Sequence, residues 1–366
     1  MGGGTTATSI VLGPGEGYAA IVDKGEQLCK AEKIQIFMLS VYAGGYIGFG
    51  ALLSLTISGN IDGTVMIHGN GVSGYIYAVL FPVNLLFILL SGCILYTGAT
   101  FTTPAAWIEG RANIVDVASV IIIAWIGNIV GSVIFALLTE ACGLNEGGVA
   151  RLAVSVLQSK TSKGFGEILL RGIGCNWLVC MAVYLCSMAQ DMTGKYVGIV
   201  FPISTFVACG FEHYPANAYA LPLGYIASLK DDYKVEGSAG IGEAFGLNLI
   251  PCSIGNLIAG VFIMACGFSY FFGSLRDGVL VHFKKRQQPQ TQEEKEYPSL
   301  TAVENFRTQG EALPPVAEQA PQDGGTTAEP PTEMRRQVSP GPIADRPNWV
   351  QAIAHNDHGF ARTVSC

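Results

Sequence analysis

The chain has 366 residues, of which 50% are hydrophobic and only 13% charged, with 46 glycines and a formal net charge of −7. Soluble proteins carry charge on roughly a quarter of their residues, so a soluble enzyme, a nucleic-acid binder and a disulfide-stapled secreted domain are all disfavoured. The charge is also displaced to one end, the residues beyond Arg286 holding 6 of the 21 basic and 11 of the 28 acidic side chains.

The first thirty residues are Gly-rich and polar and show no apolar core of a signal peptide. Met1-Gly2 with Thr6 fits the loose N-myristoylation pattern. Beyond this segment come six apolar elements, each at least long enough to cross a bilayer's hydrocarbon core. The first, 34–57, follows Lys24, Lys30 and Lys33 and carries Gly44, Gly45, Gly48 and Gly50, small residues that permit close helix contact. The second, 74–107, is too long for one span. Its stretch Tyr96 to Pro104, with Gly98 and several threonines, is expected to interrupt the helix. Asp62 is the only charge between Ile34 and Trp107.

The third element, 112–139, contains Ile126-Gly127-Asn128-Ile129-Val130-Gly131, and the connection after it holds Arg151, Lys160, Lys163 and Arg171. The fourth, 168–190, is uncharged from Gly172 onward and carries Asn176. The fifth, 196–228, is again too long and is interrupted by Gly210-Phe211-Glu212-His213-Tyr214-Pro215-Ala216-Asn217. The sixth, 247–275, echoes the third with Ile254-Gly255-Asn256-Leu257-Ile258-Ala259. A tail rich in Pro, Gln, Glu and Thr follows and reads as disordered.

The fold class expected is therefore an all-α membrane protein with six transmembrane helices in two inverted three-helix repeats, the second element of each broken. Such repeats set a transport site at the bilayer midplane, where broken helices meet. Three segments follow: a cytosolic N-terminal part (1–33), a transport domain (34–275) and a cytosolic tail (276–366). Basic residues before the first and after the last span place both termini in the cytosol, with the plasma membrane the expected location. The ten cysteines lack a CxxC pair and mostly lie in apolar runs, so no disulfide is expected.

Ionisable groups inside a membrane are expensive and mark function by default. His213, beside Glu212 in a broken span, is thus the most informative residue, and an imidazole exchanges protons near neutrality. No second ligand stands at helical spacing, so no metal is expected. No nucleophile elbow, P-loop or dinucleotide fingerprint is present, which disfavours an enzyme and implies no cofactor. Asn128, Asn176, Asn248 and Asn256 join helices by hydrogen bonds, orient the His213 loop or line a path. Thr97 and Thr100 either cap a broken end or offer hydroxyls to a solute. The partners expected are lipid, sister subunits and a small solute.

Taken together, Gly210-Phe211-Glu212-His213, Asn176-Trp177-Leu178-Val179-Cys180, Asn248-Leu249-Ile250-Pro251, Ile254-Gly255-Asn256 and Tyr96-Thr97 resemble the formate/nitrite transporter family over about residues 20–280. The resemblance implies an aquaporin-like protomer in a homopentamer, each protomer with its own pore for small monocarboxylates such as formate, acetate, pyruvate or lactate. It makes His213 the central histidine and Thr97 the threonine facing it. Phe81, Leu85 and Tyr96 fall at one constriction and Phe206 at the other. Asn176 and Asn256 match pore asparagines, and Lys160 a basic residue of the outer vestibule. Tyr214-Pro215 after the histidine and Tyr96 in place of Phe depart from the family's usual pattern, whereas Thr97-Gly98 and the long tail are closer to unicellular eukaryotic members that export lactate with a proton. The function expected is proton-coupled monocarboxylate transport. A formate/nitrite anion channel is the alternative, and an aquaporin-like neutral-solute channel a more distant one, since no Asn-Pro-Ala loop is present.

Overall fold

The computed structural model of the chain describes residues 10–61 and 71–276. The Gly2 acylation pattern, Asp62 and the tail from residue 277 lie outside the described residues. Helix α1 (Pro14–Lys30) begins with Pro14 at its first turn and with Glu16 accepting a hydrogen bond from the Gly13 amide at 2.9 Å. A stripe of Tyr18, Ile21, Val22, Gly25 and Cys29 buries one face, the spacing of an amphipathic helix. Within the N-terminal segment, residues 14–30 thus form a helix packed against the helices Tyr96–Ile108 and Phe165–Met188. A Cβ on Gly25 would lie 1.9 Å from the Thr102 carbonyl oxygen, so only glycine allows this approach.

The first element is α2 (Lys33–Gly59). The second divides into α3 (Val72–Leu80), α4 (Val83–Leu90) and α5 (Tyr96–Ile108), and the third is α6 (Ile114–Ala141), capped by the Asn113 side chain. A short helix, α7 (Gly147–Thr161), fills the charged connection, and α8 (Phe165–Met188) is the fourth element. The fifth divides into α9 (Met192–Ala208) and α10 (Tyr214–Ser228). The sixth runs from α11 (Ile241–Ala244) through a π-helical stretch (Phe245–Leu249), α12 (Ile250–Ile258) and a second π-helical stretch (Ala259–Cys266) to α13 (Gly267–Phe272).

Five stretches, Lys33–Gly59, Val72–Leu90, Ile114–Ala141, Phe165–Met188 and Ile241–Phe272, are long and apolar enough to cross a membrane. Large apolar side chains such as Ile122, Leu170 and Phe262 are exposed along them, as suits contact with lipid or another subunit. The protein is a multi-pass membrane protein. Helices α2 and α6 pack tightly where Gly127 meets Ser40, and α8 and α12 where Gly255 meets the Leu169 carbonyl. The echoed Ile-Gly-Asn strings therefore make equivalent contacts in the two halves.

The chain ends described here meet on one face. Glu109, capping α5, accepts hydrogen bonds from Tyr18 of α1 (2.9 Å), Ser269 of α13 (2.5 Å) and the Ser274 amide (3.1 Å). Burial alone would raise the Glu109 carboxyl, but these donors outweigh it and hold it below the usual carboxylate range. Arg111 adds ion pairs to Asp23 and Glu26 of α1.

Candidate functional site

Both breaks are five residues long and built alike. Helix α4 ends at Ser91-Gly92, with Gly92 at φ +75°, and the Cys93 amide donates back to the Ile88 carbonyl at 3.0 Å. Helix α9 ends at Cys209-Gly210, with Gly210 at φ +69°, and the Phe211 amide donates to the Phe206 carbonyl at 3.0 Å. A glycine in the left-handed region with this back-bond is a standard way to stop a helix. The chain then runs extended to Leu95 in one half and His213 in the other, and new helices begin at Tyr96 and Tyr214.

The breaks are thus shorter than the sequence suggested. Tyr96 to Pro104 is helical, because Thr100 and Thr103 donate their hydroxyls back to the Thr97 and Ala99 carbonyls and Pro104 sits within a short, buried helix. Tyr214 to Asn217 is likewise helical, with Pro215 in the first turn where its missing N–H is no loss.

Each break is held by one asparagine. Asn128 accepts from the Tyr96 amide (2.8 Å) and donates to the Ile94 (3.0 Å) and Ser40 (2.8 Å) carbonyls. Asn256 accepts from the Tyr214 amide (3.0 Å) and donates to the Glu212 (3.1 Å) and Gly172 (2.8 Å) carbonyls. Of the roles open to them, these two amides take the orienting one and are used up in it. Asn176 donates to Thr100 Oγ1 at 2.9 Å and to the Asn256 carbonyl at 2.6 Å, bracing the same crossing.

The two half-helices meet at their first residues, the Tyr96 and Tyr214 rings lying 5.0 Å apart at 73°. Tyr96 donates its hydroxyl to the Ser253 carbonyl at 2.9 Å, and Tyr214 stacks on Trp125 and donates to its carbonyl. Tyr96 is therefore packed between helices and does not line the vestibule described below. Its neighbour Leu95, not singled out from sequence, packs in the apolar cluster that holds Phe81, Leu85 and Phe206.

His213 is 3% exposed. Its Nε2 lies 3.2 Å from Thr97 Oγ1, its ring 5.3 Å from that of Phe206, and its Nδ1 has no partner among the described residues. A cavity of about 60 Å³ brings His213, Phe81 and Phe206 together with Lys160, Phe211 and Asn217. Since one water needs about 10–15 Å³ of such space, the cavity suits a small solute of a few heavy atoms. Phe81 and Phe206 lie edge to face at 6.1 Å, so aromatic rings narrow the cavity beside the imidazole.

Behind His213, Glu212 is fully buried and pairs with Lys160 at 2.8 Å. The same carboxylate oxygen accepts from Asn217 (2.7 Å) and Asn248 (3.3 Å), while Oε1 has no partner among the described residues. Arg171 clamps the loop by donating to the Gly210 carbonyl at 2.8 Å and accepting from the Glu212 amide at 3.3 Å. Asn217 and Arg171 were not marked as site residues from sequence; the signal available was a polar group one helical turn beyond His213 and a basic residue at the start of an uncharged span. Among the described residues no cluster of His, Cys, Asp and Glu could hold a metal.

Residues 15–270 match the family model described as formate/nitrite transporter. The chain is 32% identical over 259 residues to the probable formate transporter of Methanothermobacter thermautotrophicus, covering 66% of this chain and 90% of that protein. It is 26% identical over 288 residues to the formate-nitrite transporter of Plasmodium ovale, covering 75% of this chain and 87% of that protein. A solved pentameric formate channel with formate bound shares the fold, with a TM-score of 0.55 at 22% identity, covering 66% of this chain and 98% of that one. The chain belongs to the formate/nitrite transporter family, whose members are transporters and not enzymes.

Proposed function

We propose that this member of the formate/nitrite transporter family carries small monocarboxylates together with a proton, each protomer through its own pore. The observation that carries the proposal is His213 set into the wall of the Lys160 cavity where Phe81 and Phe206 narrow it. An anion held by those rings at mid-membrane would be several kcal/mol or more above its hydrated state, whereas the neutral acid passes at far lower cost. Lys160 draws the anion in. As the surroundings lose dielectric strength, the carboxylate's pKa rises and it takes up a proton. His213 Nδ1, unpartnered among the described residues, is the atom we assign to exchange a hydrogen bond with the solute. The higher identity to the archaeal formate transporter is the reason formate is tested before lactate, acetate and pyruvate. Assembly as a homopentamer follows the pentameric neighbour, and the basic residues flanking the first and last spans support cytosolic termini.

The test is uptake of labelled formate and lactate into proteoliposomes at external pH 5 and pH 8. Uptake is expected to rise in acid, and His213→Asn, similar in size but not ionisable, is expected to abolish it. Uptake indifferent to pH would refute proton coupling, and full activity of His213→Asn would refute the role given to the imidazole.

A further inference from the structure

A second cavity, of about 230 Å³, opens on the face that carries α1. It is lined by Lys24 of α1 and Lys195 of α9, with Ser187 and Gln190 from the end of α8 and Leu89 and Val183 on its inner side. Leu89 stands one helical turn beyond Leu85 and Val183 one turn beyond Val179, and both Leu85 and Val179 belong to the apolar cluster around Phe81 and Phe206. Cys186 belongs to that cluster and to the cavity wall. The cavity therefore lies at the opposite end of the apolar constriction from Lys160.

The charge in this cavity is unbalanced. Neither ammonium has a hydrogen-bond or ion-pair partner among the described residues, and both lysines are only partly exposed. The nearest carboxylates in sequence are engaged elsewhere, Asp23 with Arg111 and Asp191 with the Gly194 amide at 2.9 Å. Lys30 pairs with Glu26 at 2.5 Å and Lys33 with Asp116 at 3.2 Å, so these two do not share the arrangement. Burial first, and then the Lys195 charge, press Lys24 below the usual lysine range. Two like charges facing a polar space without a counter-ion are relieved by an anion that bridges them, and a carboxylate has an oxygen for each.

We propose that this cavity is a second anion-binding site, in which Lys24 and Lys195 together hold the carboxylate of the transported solute at the pore mouth opposite Lys160. The proposal rests on the transport reading above for the identity of the anion. In the Lys160 vestibule the cation is already paired with a buried carboxylate; on the α1 face two cations are open, so the two mouths differ in how they concentrate anions.

Two readouts test the site. In the first, full-length protein is reductively methylated in sodium formate or in sodium chloride of equal ionic strength, and each lysine is quantified by mass spectrometry. Formate is expected to slow modification of Lys24 and Lys195 severalfold and to leave Lys30 unaffected. In the second, formate flux is measured from each face of sided vesicles. K24Q/K195Q is expected to raise KM from the α1 face about tenfold, the ratio of maximal flux to KM falling equally from both faces as passive transport requires, whereas K24R/K195R keeps the low KM. Protection is read without transport, so a wild type that protects both lysines but moves no carboxylate refutes the proposed function and not the binding site. A transporting wild type in which formate protects neither lysine, or a K24Q/K195Q protein with unchanged KM from the α1 face, overturns the proposal.

Discussion

Replacing Asn256 with leucine keeps the number and branching of the side-chain heavy atoms but strips three hydrogen bonds at once. The Tyr214 amide and the Glu212 and Gly172 carbonyls all lose their partner. At about 1–3 kcal/mol for each buried group left unpaired, the upper bound is ~9 kcal/mol; at the ~0.6 kcal/mol average measured between membrane helices, the lower bound is ~2 kcal/mol. We expect about 3 kcal/mol of local destabilisation, equivalent to a roughly hundredfold larger open population of this break. Cys252 reports it directly, because its thiol is fully buried one turn before Asn256. Alkylation of Cys252 in the folded protein is expected to accelerate about a hundredfold in Asn256→Leu. The matching variant Asn128→Leu frees the Tyr96 amide and the Ile94 and Ser40 carbonyls, and buried Cys93 sits in that break. Asn128→Leu should therefore expose Cys93 and spare Cys252, and Asn256→Leu the reverse. Rates unchanged in both variants, or both thiols exposed equally by either one, would refute the view that each asparagine independently holds its own break.

Two further predictions concern the α1 face. Gly25→Ala sets a Cβ 1.9 Å from the Thr102 carbonyl, an overlap of backbone against backbone that should destabilise α1 docking by about 1–3 kcal/mol; hydrogen exchange across residues 14–30 is expected to rise while that of α6 stays unchanged. Glu109, with its pKa depressed below the ordinary 4.5, contributes stability that is complete above that value and is lost as pH falls through the lower, folded-state value. Exchange in α1 should accordingly increase on acidification below about pH 4, and in Glu109→Gln it should be raised at neutral pH by an amount corresponding to roughly 1 kcal/mol, with little further change in acid.

The spans were legible in the sequence because the bilayer demands long apolar runs and leaves few exceptions to them. Broken second and fifth elements and the Ile-Gly-Asn echo could also be read, since a charge and a proline inside an apolar run are visible at any window. The exact positions of the breaks could not. Threonine and proline at Thr97 to Pro104 carry poor helix propensity in water, yet in this interior the threonine hydroxyls bond back to the helix itself. What ends α4 and α9 is a single glycine in the left-handed region, Gly92 and Gly210; Gly210 flanks the visible charge, whereas Gly92 does not stand out among 46 glycines. Helix α1 was missed for a different reason: its buried stripe is five residues wide in a segment otherwise Gly-rich and polar, so mean composition concealed its periodicity.

Matched position by position, the two breaks show where function enters the fold. Ser91-Gly92-Cys93-Ile94-Leu95-Tyr96 and Cys209-Gly210-Phe211-Glu212-His213-Tyr214 occupy equivalent places, with the same back-bond, the same asparagine clamp and a tyrosine opening the next helix. At the fourth and fifth places apolar residues give way to a carboxylate and an imidazole, Ile94 and Leu95 corresponding to Glu212 and His213. The backbone of a break thus needs neither charge nor imidazole, and apolar residues serve the first half. Helix α7 explains why the second half can bear them. Among the described residues it occurs once, in the connection between the halves, and its Lys160 pairs with Glu212. A buried carboxylate without that partner would be several kcal/mol less favourable. The departure from the repeat, a carboxylate and an imidazole maintained by one extra helix, is therefore the part of this architecture that structure alone does not require.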